Sequence, residues 1–489
     1  MVINFNKRNR KIVALILSLL IISIIGIKIF IQRNERETFT LKDEQNRNQY
    51  SIDVILDDET NRILCNETLV YINNSNTSLD KIYLHIYPNA FCEKSITPFE
   101  KNEMKKAYPN GFNEGYIDIK NILNNDKKME YQIIGDKDDI LEVNLNSMLK
   151  PGESITLDFK FNVKLPNCLG RFGYGDSTIN VTNWFPIACV YDNEGWNLKS
   201  YETIGDPFYS ETSNFKVTLL APAKYKLATT GKVSEKKSDN EKIMYIIDAK
   251  MVRDFAFILS EKFTEAKTDY KGIEITTYNL NEDMSKEAVD IAKSSLQIFS
   301  KLFGDYPYDR YSVVASDFFI GGMEYPMLVM IDKDLYNNEN KFLLEYVIAH
   351  ETAHQWWYSV IGNNELEEPW LDEALTEYST ILYFEDKYGK ETGDKLIKTM
   401  EVQTRNYKSE DIFKATTDYK DSADYSLSVY TKGAVIFNEI RNQVGDKVFF
   451  DTLKEYYNTY KFKNVKGTQF VELWKSKGVD IEKIIKESK

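Results

Sequence analysis

From Tyr50 onward, apolar and polar residues alternate along the chain. The clearest run is Ile155, Leu157, Phe159, Phe161, Val163 and Leu165, with Thr156, Asp158, Lys160, Asn162 and Lys164 between them. That period of two predicts a strand with one buried face. Phe215, Val217 and Leu219 repeat it, as do Ile243, Tyr245 and Ile247. Turn signals at Asn73-Asn74-Ser75 and Pro151-Gly152 separate the runs. Residues 46–268 therefore read as an antiparallel β-rich domain. Beyond it the period changes. Val289, Ala292, Leu296, Phe299 and Phe303 recur at steps of three and four, which predicts an amphipathic helix ending at Gly304. Tyr311–Ala315 is a short strand, Phe342–Ser359 a helix, and residues 434–489 a set of helices with apolar faces such as Val435-Ile436-Phe437 and Phe470 with Leu473-Trp474. Residues 269–489 thus form a second, mixed domain, and the whole is multidomain α+β.

The N-terminus has a different pattern. Lys7, Arg8, Arg10 and Lys11 precede an almost unbroken run of Ile, Leu and Val from Ile12 to Ile27, extended by Ile29-Phe30-Ile31. With Lys28 reaching towards a head group, residues 12–31 are just long enough to span a bilayer. The leading basic residues place the tail, 1–11, in the cytoplasm and the body outside. No small-x-small cleavage site follows, so an anchor is expected rather than a removed signal. Residues 32–45 are a polar linker. The net charge of -13 excludes nucleic acid as a partner, because phosphate binding needs a basic face. The four cysteines form no C-x-x-C pair and read as buried free thiols, with one bridge outside the cell, for instance Cys168 to Cys189, as the alternative.

Candidate chemistry is concentrated in one stretch. His350-Glu351-Thr352-Ala353-His354 is an H-E-x-x-H pentad, and it holds two of the only three histidines in the chain. On a helix, positions i and i+4 share a face, so two imidazoles can hold one metal ion while Glu351 reaches a water on it. A catalytic zinc needs a third protein ligand and an open position. Glu373 supplies one if a second helix, starting near Pro369, carries it back over the first. Glu377, one turn further on, is placed to accept the outer N–H of a ligating histidine.

The pentad, the interval to Glu373 and the sequence Trp370-Leu371-Asp372-Glu373-Ala374 resemble the aminopeptidase N family of zinc metallopeptidases. Two further signatures strengthen the resemblance: Gly321-Gly322-Met323-Glu324-Tyr325, and Tyr430-Thr431-Lys432-Gly433 with Tyr425 five positions earlier. Tyr325 stands where the family has Asn, so the family's substrate preference does not carry over. The resemblance implies a thermolysin-like catalytic domain with a helical end and one bound Zn2+. It also implies substrates that are peptides with a free N-terminus. It makes Tyr430 the donor to the oxyanion, Tyr425 its support and Glu324 the anchor of the substrate's α-ammonium. In the family the β domain lends a further polar residue to the amino end, for which Asn183 is the candidate here. Longer relatives continue into a helical domain over the site; a chain ending at Lys489 predicts a more open site that accepts longer peptides.

Residue chemistry supports the same roles. Gly321 and Gly322, without Cβ atoms, let a backbone approach closely and, with Met323, pair with it like an edge strand. Glu324 beside them offers the anion an exopeptidase needs. Glu351 is the general base. His85, set among strand residues, reads as structural, and Trp356 and Trp357 as core. Two other classes compete. A thermolysin-type endopeptidase would tolerate a blocked N-terminus. An inactive zinc-binding ectodomain would lack the base or a ligand, and neither is missing.

Overall fold

A computed structural model describes residues 46–238, 241–281, 284–408 and 412–487. The expected membrane span 12–31 and its linker lie outside them. Among the described residues no helix is long and apolar enough to cross a membrane.

The alternating runs build an eight-stranded sheet. Its order is Lys232–Ser238, Lys242–Val252, Ser213–Pro222, Gln49–Asp57, Arg62–Ile72, Ser154–Lys164, Tyr116–Asn124 and Lys127–Lys128. In Ser154–Lys164 the residues Leu157, Phe159, Phe161 and Val163 are buried on one face, as alternation requires. The sheet is not wholly antiparallel: Gln49–Asp57 and Ser213–Pro222 run parallel. The long connection between them carries one whole four-stranded antiparallel sheet and two strands of another, ample for the crossover that a parallel pair needs. His85 is buried and stacked on Tyr87, 4.7 Å between centroids, a structural residue. Burial lowers its pKa to about 4, so it stays neutral. All four cysteines are free, and Cys65, Cys168 and Cys189 are buried.

A second sheet positions the site. Its strands are β1 (Thr264–Tyr270), β2 (Ile273–Asn279), β3 (Arg310–Ser316), β4 (Gly322–Met323) and β5 (Leu328–Asp332), in the order β1-β2-β3-β5-β4. It begins at Thr264, inside the stretch read from sequence as the first domain. β2, β3 and β5 are parallel, and β4 runs antiparallel along the edge. Helix α1 (Ser285–Phe303) is the crossover from β2 to β3; it ends at Gly304 and buries Val289, Ala292, Leu296, Phe299 and Phe303 as its periodicity predicts. β3 is buried on both faces, as a parallel strand between layers must be. Helices α2 (Lys341–Ala353) and α3 (Glu373–Tyr388) pack together behind the edge strand. After them come α4 (Gly433–Val444), α5 (Asp446–Tyr460), α6 (Gly467–Ser476) and α7 (Ile481–Glu487).

The helix expected over Phe342–Ser359 is shorter. It ends at Ala353, and His354 is its cap, still in right-handed helical conformation. Beyond it the chain turns, with Trp356, Trp357 and Tyr358 all buried. Ser359 N–H donates to the His354 carbonyl at 2.9 Å and Ile361 N–H to that of Trp356 at 3.1 Å.

Buried polar groups join the two halves. Arg253 donates to the carbonyls of Tyr358, Ser210 and Lys463 and to the side chain of Asn464. The Asp317 carboxylate accepts the N–H groups of Ser177 and Thr178.

Candidate active site

The pentad's two imidazoles face one another at the end of α2. His350 Nε2 and His354 Nε2 are 3.2 Å apart, and Glu373 Oε2 lies 3.4 Å from the first and 3.2 Å from the second. Glu373 is the first residue of α3, so that helix brings it back over the pentad as expected. Tetrahedral zinc with bonds of about 2.0 Å holds its ligand atoms about 3.3 Å apart. The triangle has those edges. Glu373 Oε2 is buried with no hydrogen-bond partner, as a ligand atom would be. The three residues fit zinc.

Each outer face of the triangle is held. His350 Nδ1 is 3.0 Å from Glu377 Oε2, whose other oxygen accepts from the Tyr346 hydroxyl. His354 Nδ1 is 2.6 Å from Asp372 Oδ1. Both outer N–H groups thus meet carboxylates, which directs each Nε2 lone pair inward. Burial works against charge on Glu373, yet the two imidazoles hold its carboxyl well below the usual range. The resulting carboxylate, with Oε2 unpartnered, favours a cation at the centre of the triangle.

Tyr430 donates to the other oxygen of Glu373, and its ring stacks on His350 at 5.7 Å and 14°. It sits in a π-helical segment, Ser426–Lys432, just before α4. Gly433 explains the Lys-Gly pair: a Cβ there would overlap the Cβ of Ala374, so only glycine lets α4 approach α3 this closely. Tyr425 meets Tyr430 edge-on at 5.6 Å and 82°, supporting its ring.

On the opposite side lies the edge strand. Gly321, Gly322 and Met323 lead into Glu324, and β4 pairs with β5 on one side only. A Cβ on Gly322 would overlap the Glu351 carboxylate, so the glycine gives the pentad's glutamate its place. Burial lifts Glu351 to about 7, and its Oε2 is unpartnered. Burial also lifts Glu324, opposed by His354. Glu324 is 3% exposed, and its Oε1 has no partner. Ligand-type atoms of Glu324, Glu351 and His354 all lie within 4.8 Å of one another.

Several participants were not picked out from sequence. Asp372 was read only as part of the signature. Gln355 accepts the Met327 N–H at 2.9 Å and donates to the Tyr325 carbonyl at 3.2 Å, tying the edge-strand loop to the pentad. Asp206, ion-paired with Arg171, has an oxygen within 4.8 Å of those of Glu324 and Glu373. Only the position of Gln355, next to the pentad, could have signalled it. Asn183 donates through its amide nitrogen to Asp254 at 2.9 Å, and its buried Oδ1 has no partner among the described residues.

Comparison with known families matches residues 287–487 to the Peptidase family M1 domain. Those residues, about two fifths of the chain, are similar to that family's domain. Aminopeptidase B of Mus musculus is 30% identical over 224 residues, 41% of this chain and 34% of that protein. Tricorn protease-interacting factor F2 of Thermoplasma volcanium is 25% identical over 309 residues, 59% of this chain and 38% of that protein. The chain spans about a third of the length of these curated relatives. The M1 zinc metallopeptidase of Deinococcus radiodurans superposes with a TM-score of 0.65 at 17% identity, covering 90% of this chain and 93% of that one. The likeness in fold therefore extends through both halves. A mutant of that metallopeptidase has been solved bound to a Tyr-Ser-Ala substrate, with a TM-score of 0.63 at 16% identity and the same coverage of both chains.

Proposed function

We propose that this chain is a membrane-anchored zinc aminopeptidase that removes N-terminal residues from extracytoplasmic peptides. The observation that carries the exopeptidase reading is Glu324. It is a buried carboxylate with an unpartnered oxygen, on an edge strand, within 4.8 Å of atoms of both Glu351 and His354. A dehydrated anion that close to the reacting groups is satisfied by a cation on the substrate, and an α-ammonium is the cation nearest an N-terminal peptide bond. The anchor rests on the apolar run 12–31 and the basic residues before it.

Zinc held by His350, His354 and Glu373 would lower the pKa of a water and polarise the scissile carbonyl. The remaining work belongs to the chain. Glu351 takes the attacking water's proton and returns it to the departing amine. Tyr430, released from Glu373, donates to the oxyanion. Gly321, Gly322 and Met323 pair with the substrate backbone along the free edge. Glu324 fixes the amino end, so only the first peptide bond reaches Glu351.

Replacing Glu324 with Gln tests this reading. The KM for peptides with a free N-terminus should rise at least about 10-fold, since a charge-assisted hydrogen bond is lost. An unchanged KM would remove Glu324 from the amino end.

A further inference from the structure

The loop from Asn363 to Glu368, between the pentad and α3, carries a carboxylate that the scheme above leaves idle. Glu365 is 3% exposed, and neither of its oxygens has a hydrogen-bond partner among the described residues. One of those oxygens lies within 4.8 Å of oxygens of Glu324 and Asp372. The neighbouring carboxylates are engaged. Asp372 accepts from His354, Asp206 pairs with Arg171, and Glu373 lies between the imidazoles and Tyr430. Glu324 and Glu365 are left facing one another, both buried, and among the described residues neither forms an ion pair with a Lys, Arg or His side chain.

Two buried carboxylates at that separation repel, and a cation between them offsets both the repulsion and the burial, which otherwise favour a proton on one of them. The shape of an ammonium group suits the gap. Donors of about 2.8 Å reach, spread at tetrahedral angles, set two acceptor oxygens about 4.6 Å apart. We propose that Glu365 is a second anionic anchor, gripping the substrate's α-ammonium together with Glu324. The inference rests on the aminopeptidase reading and deepens it: the site recognises a protonated primary amine through two carboxylates, whatever the first side chain.

The test compares the parent protein with E365Q and E365D. It measures KM and kcat on peptides beginning with Leu and with Lys. It also measures inhibition constants for L-leucinamide and for 4-methylpentanamide, the same molecule without its amine. E365Q is expected to raise KM for both peptides by about 10- to 100-fold and to weaken leucinamide similarly. Inhibition by 4-methylpentanamide should be unchanged, and E365D should recover part of the loss. Parent-like KM values in E365Q would overturn the proposal. So would a loss confined to the Lys peptide, which would make Glu365 a reader of the side chain. An equal loss for both inhibitors would make it merely structural. Should E365Q not fold, E365D decides by the same comparison: leucinamide weakened with 4-methylpentanamide kept supports the anchor, and both kept overturns it. If the parent cleaves no free peptide, the aminopeptidase reading falls by itself, while the inhibitor pair still judges Glu365.

Discussion

Gly322 shows how much one absent atom decides. Its backbone lies outside the left-handed region, so alanine brings no strain there, yet an added Cβ would overlap the Glu351 carboxylate. Gly322→Ala should therefore fold normally and lose about 100-fold in kcat, the scale of a general base displaced by about 1 Å. Parent-like turnover in a steady-state assay would show that Glu351 works from another position. The sequence placed His350, Glu351, His354, Glu324 and Glu373 because each belongs to a spaced signature. It could not separate Asp206 or Glu365 from the other acidic residues, 75 in all, because long-range folding alone brings them to the site.

At the level of elements, the site is the meeting of α2, α3, an edge strand and a π-helical turn. Each supplies few groups, and carboxylates behind the imidazoles fix their rotation. Asp372→Asn removes the charge 2.6 Å behind His354. Zinc affinity should fall about 10- to 100-fold in competition with a chelator, the usual effect of losing such a partner. An unchanged affinity would mean that Thr376, whose hydroxyl is 3.2 Å from the same nitrogen, suffices. Strand and helix periods were legible wherever one face is buried, as in Ser154–Lys164 and α1. The end of α2 was not. No Gly or Pro marks Ala353, and the turn is set by the burial of Trp356 and Trp357 and by the bonds of Gln355 to the loop beyond Glu324. The parallel pairing of Gln49–Asp57 with Ser213–Pro222 was equally hidden, since alternation reports which face is buried and not strand direction.

Across the whole molecule, the β-rich half contributes to the site as well as supporting it. Arg171 and Asp206 come from it, and Arg253 fastens it to the turn after the pentad. Arg253→Leu removes the donor to the carbonyls of Tyr358, Ser210 and Lys463 and to Asn464, and should cost about 3 kcal/mol in urea unfolding. A cost near zero would show that the halves are held by apolar packing alone. The central claim is that a carboxylate-bound amino terminus, not an internal sequence, brings a peptide bond to Glu351. Its most direct test is a mass-spectrometric time course on one peptide of about seven residues, a length chosen to leave several successive cleavages, beside its N-acetylated twin. Stepwise loss of N-terminal residues from the free peptide, with the acetylated twin intact, is the predicted result. Internal cleavage of the acetylated peptide would contradict it.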